Sequence, residues 1–419
     1  MVAAVDFLAL PLAEVTRAQG RSLVLVFLAS ALGALLSRWH PGIVLPTVVI
    51  EIVLGILIGP DVLDIATVNE FVTFLSNLGL AFLFFFAGLE VVEHRVPPAT
   101  LRRGTAGWGV SIAIGLALGV VLEQAGVDAT WWLLGVALAT TALGTLVPVL
   151  SDEGLLPTTL GRAVLGTGVA GEFWPIIVIS VFLTSVYGAA AEILLLIGFG
   201  LLIAGAATLI LRTRRSRPPR VLRILQETLH TTGQVGVRAA IFFLALMVLI
   251  ANDAGFEFVL GAFAAGLVVG LAVDSAEGKV VRMRLEGIGF GFLIPVYFVV
   301  TGLTFDLDSL LTAEGLFLAA VFLALLLVTR GTSAFLWWRE LPTRATVSLA
   351  LFGATGLPLI VAIVGIGEER GDISDAVGAS LIGAGMLSVL VYPFVATRLA
   401  RPYTDADTPH ETMDETSEY

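Results

Sequence analysis

The chain contains no cysteine, which excludes a disulfide framework, a thiolate metal site and a cysteine nucleophile. Lysine is almost missing: Lys279 stands alone against a background of arginine. Charge of either sign is scarce, at 14% of residues, against about a quarter in soluble domains. The four histidines (His40, His94, His230 and His410) fall at or near predicted loops, helix ends or the tail, and none pairs with another at metal-ligand spacing. A net charge of −11 gives no footing for nucleic acid. The amino-terminal stretch holds Asp6, Glu14 and Arg17 without a clean apolar core, so no cleavable signal peptide is read there. No polar segment is long enough to fold as a separate soluble domain.

What the chain has instead is apolar sequence, 57% of its 419 residues. Runs long enough to cross a bilayer recur throughout, and a helix is the form in which such a run satisfies its own backbone. The expected fold class is an all-α polytopic membrane protein of about thirteen transmembrane helices. The spans run roughly Leu23–Leu36, Val44–Ile58, Phe71–Val92, Trp108–Leu122, Trp131–Leu150, Leu160–Tyr187 and Ala190–Leu211. After these come Val235–Ala251, Phe256–Val273, Ile288–Leu303, Leu316–Trp337, Ala345–Ile366 and Ala376–Thr397. They form one membrane domain, residues 1–401, whose halves (about 21–211 and 224–401) are joined by the basic loop 212–223. The acidic remainder, 402–419, carries no apolar pattern and reads as a disordered tail. With the amino terminus outside and the carboxyl terminus cytoplasmic, all basic residues except Arg17, Arg21, Arg370 and the in-span Arg330 fall in cytoplasmic loops, as the positive-inside rule requires. That orientation places the protein in the cell (inner) membrane. The basic loop reads as a topology determinant first and as a contact for anionic membrane lipids second.

Two spans read as interrupted helices. The fifth carries Thr140, Thr141, Gly144, Thr145 and Pro148; the twelfth carries Gly353, Thr355, Gly356 and Pro358. Proline removes a backbone donor and disfavours helix just before it, and glycine weakens the helix further. Breaks at membrane depth are tolerated only where the freed backbone is buried in protein or lines a cavity. Seven spans separate the two, an odd offset that gives them opposite directions, as expected for inverted repeats with two crossing broken helices.

One carboxylate, Glu172, stands in the middle of the sixth span among Gly166, Gly168, Ala170 and Gly171. An ionisable residue at that depth is a functional candidate by default. Together with the Thr140 and Thr141 hydroxyls and the carbonyls freed near them, it makes an oxygen-rich site suited to a hard monovalent cation. Arg330, in the eleventh span, has two readings: a counter-charge for Glu172, or a snorkelling side chain that reaches the cytoplasmic headgroups. Glu51, in the second span, either lines a cytoplasmic vestibule or hydrogen-bonds a neighbouring helix, and the second is favoured. Glu90 and Glu93 close the third span beside a basic loop and read as solvated surface acids or local ion pairs.

Four segments, taken in order, resemble the monovalent cation/proton antiporters of the second superfamily branch, which includes sodium/proton exchangers and potassium-efflux antiporters. They are LPTVVIEIVLGILIGP (Leu45–Pro60), LGLAFLFFFAGLE (Leu78–Glu90), FVLGAFAAGLVVG (Phe258–Gly270) and PVYFVVTGLTFDL (Pro295–Leu307). The resemblance covers nearly the whole membrane part. It implies a homodimer with a scaffold and a mobile core, working by elevator-like alternating access. It also implies that Glu172 matches the family's carboxylate on the sixth helix, that Arg330 matches its basic residue on the eleventh, and that Thr140 and Thr141 match the unwound segment. Family members usually carry aspartate there, preceded by a polar residue, whereas this chain reads Gly171-Glu172.

The expected activity is therefore exchange of Na+ or K+ for H+ at Glu172, electroneutral because a single carboxylate is present, with no cofactor and no enzyme chemistry. The alternative reading is a sodium-coupled symporter of an organic anion on a related inverted-repeat fold. An intramembrane enzyme lacks support, because no Ser/Lys or His dyad and no Asp pair falls at membrane depth.

Overall fold

The computed structural model describes residues 17–37, 46–93, 96–183, 200–201, 205, 208, 234–273 and 276–400. Most of the expected seventh span, the basic loop 212–223, the tail 402–419 and the four histidines lie outside the described residues. Among the described residues the chain is helical without a strand, and one isolated antiparallel bridge joins Ala129 to Ile373. Nine helical stretches among the described residues are long and apolar enough to cross a membrane, and three shorter apolar helices accompany them. The chain is a multi-pass membrane protein.

The helices sort into two groups by what they pack against. The first contains α1 (Arg17–Leu36), α2 (Thr47–Ile58) and α3 (Glu70–Glu93). The second begins with α4 (Pro98–Gln124), α5 (Trp131–Leu138), α6 (Leu143–Asp152) and α7 (Thr159–Leu183). The chain then returns to the first group with α8 (Val235–Asp253), α9 (Phe258–Val273), α10 (Ala276–Ile288) and α11 (Ile294–Leu303). It ends in the second with the short α12 (Leu307–Leu310), α13 (Ala313–Gly331), α14 (Thr343–Gly353), α15 (Pro358–Arg370) and α16 (Asp375–Ala400). Packing is dense within each group, and the groups meet where α3 and α9 lie against α7. Phe173 of α7 meets Phe263 of α9 there, ring centroids 5.6 Å apart.

The expected spans on described residues fall on helices, the fifth and twelfth each on two, and the bounds depart most at the fourth and tenth. The fourth helix starts at Pro98, well before the expected Trp108, because exposed Arg102 and Arg103 extend it past its apolar stretch. The tenth is the last part of a longer helix in which a π-turn, Gly289–Leu293, joins α10 to α11. Close backbone approach is what lets α3 pack on α9: a methyl at Gly88 would strike the Phe263 carbonyl, and one at Gly266 the Phe85 carbonyl. Small residues at such contacts are how membrane helices gain packing contact where lipid supplies no hydrophobic driving force.

Candidate functional site: two helix breaks and a buried carboxylate

The first interruption separates α5 from α6 at Ala139–Ala142, and the second separates α14 from α15 at Ala354–Leu357. Gly144 and Pro148 do not form the first break. Both lie inside α6, where Pro148 is accommodated within the helix. The break falls instead on the Thr140–Thr141 pair. Thr355 and Gly356 lie in the second break, and Pro358 opens α15, where a missing N–H leaves no donor unsatisfied. At one end of the bundle the Thr130 N–H, at the start of α5, bonds the Asp372 carbonyl, just past α15 (2.8 Å). The two broken segments therefore run in opposite directions. They touch at their breaks: the Ala142 N–H donates to Thr355 O (2.8 Å), and Thr141 Oγ1 donates to Gly353 O (2.6 Å).

Each break exposes helix ends whose backbone groups need partners. The cap of α6, Ala142, has no side chain able to accept, and the first N–H of α6 is bonded by another helix: Leu143 N–H donates to Glu172 Oε1 of α7 (2.6 Å). Glu172 is 7% exposed, and its second oxygen, Oε2, is buried without a hydrogen-bond partner. At the opposite pole, the carboxyl end of α14 faces Arg330, which is fully buried. Arg330 Nε donates to Gly353 O (3.3 Å) and to Thr141 Oγ1 (2.9 Å), Nη1 to Ser111 Oγ (3.3 Å), and Nη2 to Thr167 O (3.0 Å). Each buried charge thus sits at the half-helix end of opposite polarity: carboxylate at an amino end, guanidinium at a carboxyl end.

This geometry separates the two readings of Arg330. Its guanidinium does not reach a headgroup; it is anchored inside the protein. Nor does it form an ion pair with Glu172, since no Arg330–carboxylate contact within 4 Å exists among the described residues. It lies one residue away, against Gly171. The glycine before the carboxylate also has its reason. A Cβ at Gly171 would stand 2.7 Å from both Arg330 Nη2 and Thr141 Oγ1, so a larger side chain would displace the arginine.

The remaining candidates divide. Thr140 Oγ1 donates to Ala137 O (2.8 Å), which keeps its lone pairs available. Thr141 Oγ1 is held between the Gly353 carbonyl and Arg330. Glu51 is 2% exposed, its Cγ stem against Gly33 of α1. It is therefore packed between helices of the first group. Glu90 is half-buried, and its carboxylate lies beside Gly144, in the first turn of α6, where a Cβ would stand 3.2 Å from Oε1. Three further anchors escaped the sequence reading. Trp108 Nε1 donates to Ala139 O (3.1 Å), Ser111 meets Arg330, and Ser388 Oγ accepts from the Gly356 N–H (3.1 Å) and lies 3.0 Å from its carbonyl.

A cavity of about 340 Å³ opens at the end of the bundle that carries the acidic loops. Asn77, Tyr297, Asp306, Glu368 and Asp375 are among its lining residues, which come from both helix groups.

The sequence model of the sodium/hydrogen exchanger transmembrane family matches residues 24–401. The chain belongs to that family. It is a family of transporters, not of enzymes. YjbQ of Bacillus subtilis is 27% identical over 411 residues, 93% of this chain, and the chain spans 64% of YjbQ's own length. The Na+/H+-K+ antiporter GerN of Bacillus cereus is 24% identical over 353 residues, 83% of this chain and 88% of GerN. The structure of the sodium proton antiporter MjNhaP1 from Methanocaldococcus jannaschii superposes with a TM-score of 0.64 at 18% identity, covering 92% of this chain and 97% of that one. The fold is thus that of a sodium/hydrogen exchanger. The organic-anion symporter reading finds no support in these relatives.

Proposed function

We propose that this exchanger trades Na+ or K+ for H+ at Glu172. The observation that carries the proposal is the state of that carboxylate. One oxygen is fixed by the amino end of α6, the other is buried and unpartnered, and the group faces the junction of two opposed helix breaks. A buried carboxylate oxygen without a donor must take a proton or a cation, and exchange needs that alternative. Thr140 and the carbonyls of the first break supply further oxygens to a partly dehydrated ion. GerN's name, which couples Na+, H+ and K+, is why both cations are kept.

The same reading extends to the remaining features of the mechanism. The second helix group holds both breaks, Glu172 and Arg330, and is the mobile core; the first is the scaffold and the surface through which two copies pair. The core shifts elevator-fashion past α3 and α9, exposing the site to one side and then the other. The α5–α6 and α14–α15 segments are the crossing broken helices of an inverted repeat within thirteen spans. The acidic cavity is the outer antechamber, and its carboxylates concentrate cations there. The protein works in the inner membrane with its carboxyl terminus in the cytoplasm. Exchange is one for one and electroneutral.

The test is dissipation of an imposed pH gradient in proteoliposomes on addition of Na+, K+ or Li+. Exchange that persists unchanged when valinomycin and K+ clamp the membrane potential supports electroneutrality; a rate that follows the potential contradicts it.

A further inference from the structure

The helix that carries Glu172 also holds a proline in its interior, Pro175 of α7. A proline inside a helix has no N–H, so the carbonyl four residues earlier loses its ladder partner, and the ring crowds that carbonyl outward. For Pro175 that carbonyl belongs to Gly171, the residue before the exchanging acid. It finds a partner in another helix pair: the Thr141 N–H, from the first break, donates to Gly171 O at 3.1 Å. Two residues on, the Leu143 N–H donates to Glu172 Oε1. The backbone of the break is therefore docked on consecutive residues of α7, once through a main-chain carbonyl and once through the acid itself. Gly171 completes the arrangement, since a Cβ there would stand 2.8 Å from Thr141 Cβ. Glycine lets the break approach, and proline supplies the acceptor. The other interior prolines behave differently. Pro148 lies within α6 and Pro393 within α16. Among the described residues, no backbone N–H of another helix donates to the carbonyls four residues before them, Gly144 O and Val389 O.

We propose that Pro175 is a positioning residue of the exchange site: by withholding an N–H from Gly171, it reserves that carbonyl for Thr141 and sets the register of the first break against Glu172. The inference rests on the assignment of Glu172 as the exchanging acid and deepens it. Pro175 touches no ion. It acts through Thr141, whose placement fixes the oxygens that the break offers to a cation. Alanine at this position restores the N–H, and the restored bond draws the Gly171 carbonyl back along the helix axis. The buried Thr141 N–H then loses its acceptor, and the break is no longer held in register. Glu172 keeps its place and its proton, so cation affinity falls while the maximal rate is retained.

The experiment measures initial exchange rates against Na+ and K+ concentration in proteoliposomes of the full chain. The proteins are wild type, Pro175→Ala, Pro393→Ala, Glu172→Gln and two forms with a single backbone ester, made by incorporating an α-hydroxy acid. Lactic acid at position 175 reproduces the alanine variant with its N–H replaced by oxygen. The hydroxy analogue of threonine at position 141 deletes the donating N–H itself. The proposal expects Pro175→Ala to raise the cation KM about fivefold to tenfold with little change in maximal rate. The ester at 175 should return KM to the wild-type value, the ester at 141 should raise it as Pro175→Ala does, and Pro393→Ala should leave it unchanged. Equal KM values in Pro175→Ala and the ester at 175, whether raised or normal, overturn the role of the missing N–H. If Pro175→Ala is unfolded or inactive, the ester at 141 decides: a raised KM supports the proposal and a normal one overturns it. An active Glu172→Gln overturns the assignment of Glu172 on which the proposal rests.

Discussion

Gly171→Ala puts the reading of the break to a stringent test, because it adds one methyl and no charge. The new Cβ would lie 2.7 Å from Arg330 Nη2, 2.7 Å from Thr141 Oγ1 and 2.8 Å from Thr141 Cβ. Ordinary contact begins near 3.4 Å, so the neighbours must yield. Thr141 is held by the Gly353 carbonyl and by Arg330, and Arg330 by four contacts. The least costly relief turns Nη2 away from the Thr167 carbonyl, giving up one charge-assisted hydrogen bond of about 1.5–3 kcal/mol. That agrees with the roughly 1–3 kcal/mol typical of one methylene forced into a packed interior. Gly353→Ala is the matched control at the same crossing: its Cβ would meet Thr167 Cγ2 at 3.6 Å and Arg330 O at 3.8 Å. Alanine there should be neutral or slightly stabilising, since it favours helix over glycine by up to about 1 kcal/mol. Thermal unfolding in detergent, with and without Na+, measures both. A Gly171→Ala protein as stable as wild type, or a Gly353→Ala protein that loses as much as Gly171→Ala, would refute the claim that Gly171 is small to make room for Arg330.

Three further outcomes follow from the same geometry. Ser388→Ala leaves the buried Gly356 N–H of the second break without its partner and should destabilise by about 1–3 kcal/mol, read as a lower Tm. Glu340→Gln removes the exposed ion pair with Arg103 and should change stability by less than about 1 kcal/mol. Glu257, in the loop before α9, is held above the usual carboxylate range by burial, with Arg370 opposing and Glu369 adding to the shift. The folded protein then binds that proton more tightly than the unfolded chain. The contribution of Glu257 to stability is therefore present at low pH and lost as pH rises through its folded value. Glu257→Gln should flatten that slope, and a stability–pH curve with an unaltered slope would count against it.

The membrane helices were legible because length and apolarity are one-dimensional signals: α3, α7, α13 and α16 are all visible as runs. The two breaks were legible as regions, through Thr, Gly and Pro. The exact position of the first was not. Pro148 looked like the breaker, yet a helix that starts at Leu143 simply carries it, and the interruption falls at the Thr140–Thr141 pair, where the Thr141 N–H donates to Gly171 O of α7. Glu172 stood out as a lone acid in an apolar run. Glu90 did not, because at the end of α3 beside a basic loop an acid looks solvated; only the packing of α3 against the second helix group brings it to Gly144. Trp108, Ser111 and Ser388 gave no local signal at all, since one indole or hydroxyl in an apolar helix reads as filler until the carbonyl, guanidinium or amide it bonds is known. Arg330 was visible as a buried charge, but its partners are backbone and hydroxyl groups 23 to 219 positions away in sequence, which no spacing argument reaches.

The measurement that bears most directly on the central claim is cation-driven dissipation of a pH gradient by Glu172→Gln in proteoliposomes. The substitution keeps an oxygen able to accept from the Leu143 N–H while removing the charge and the exchangeable proton. The account predicts a folded protein with no cation-dependent proton movement for Na+, K+ or Li+; exchange at a rate near that of the wild type would contradict it.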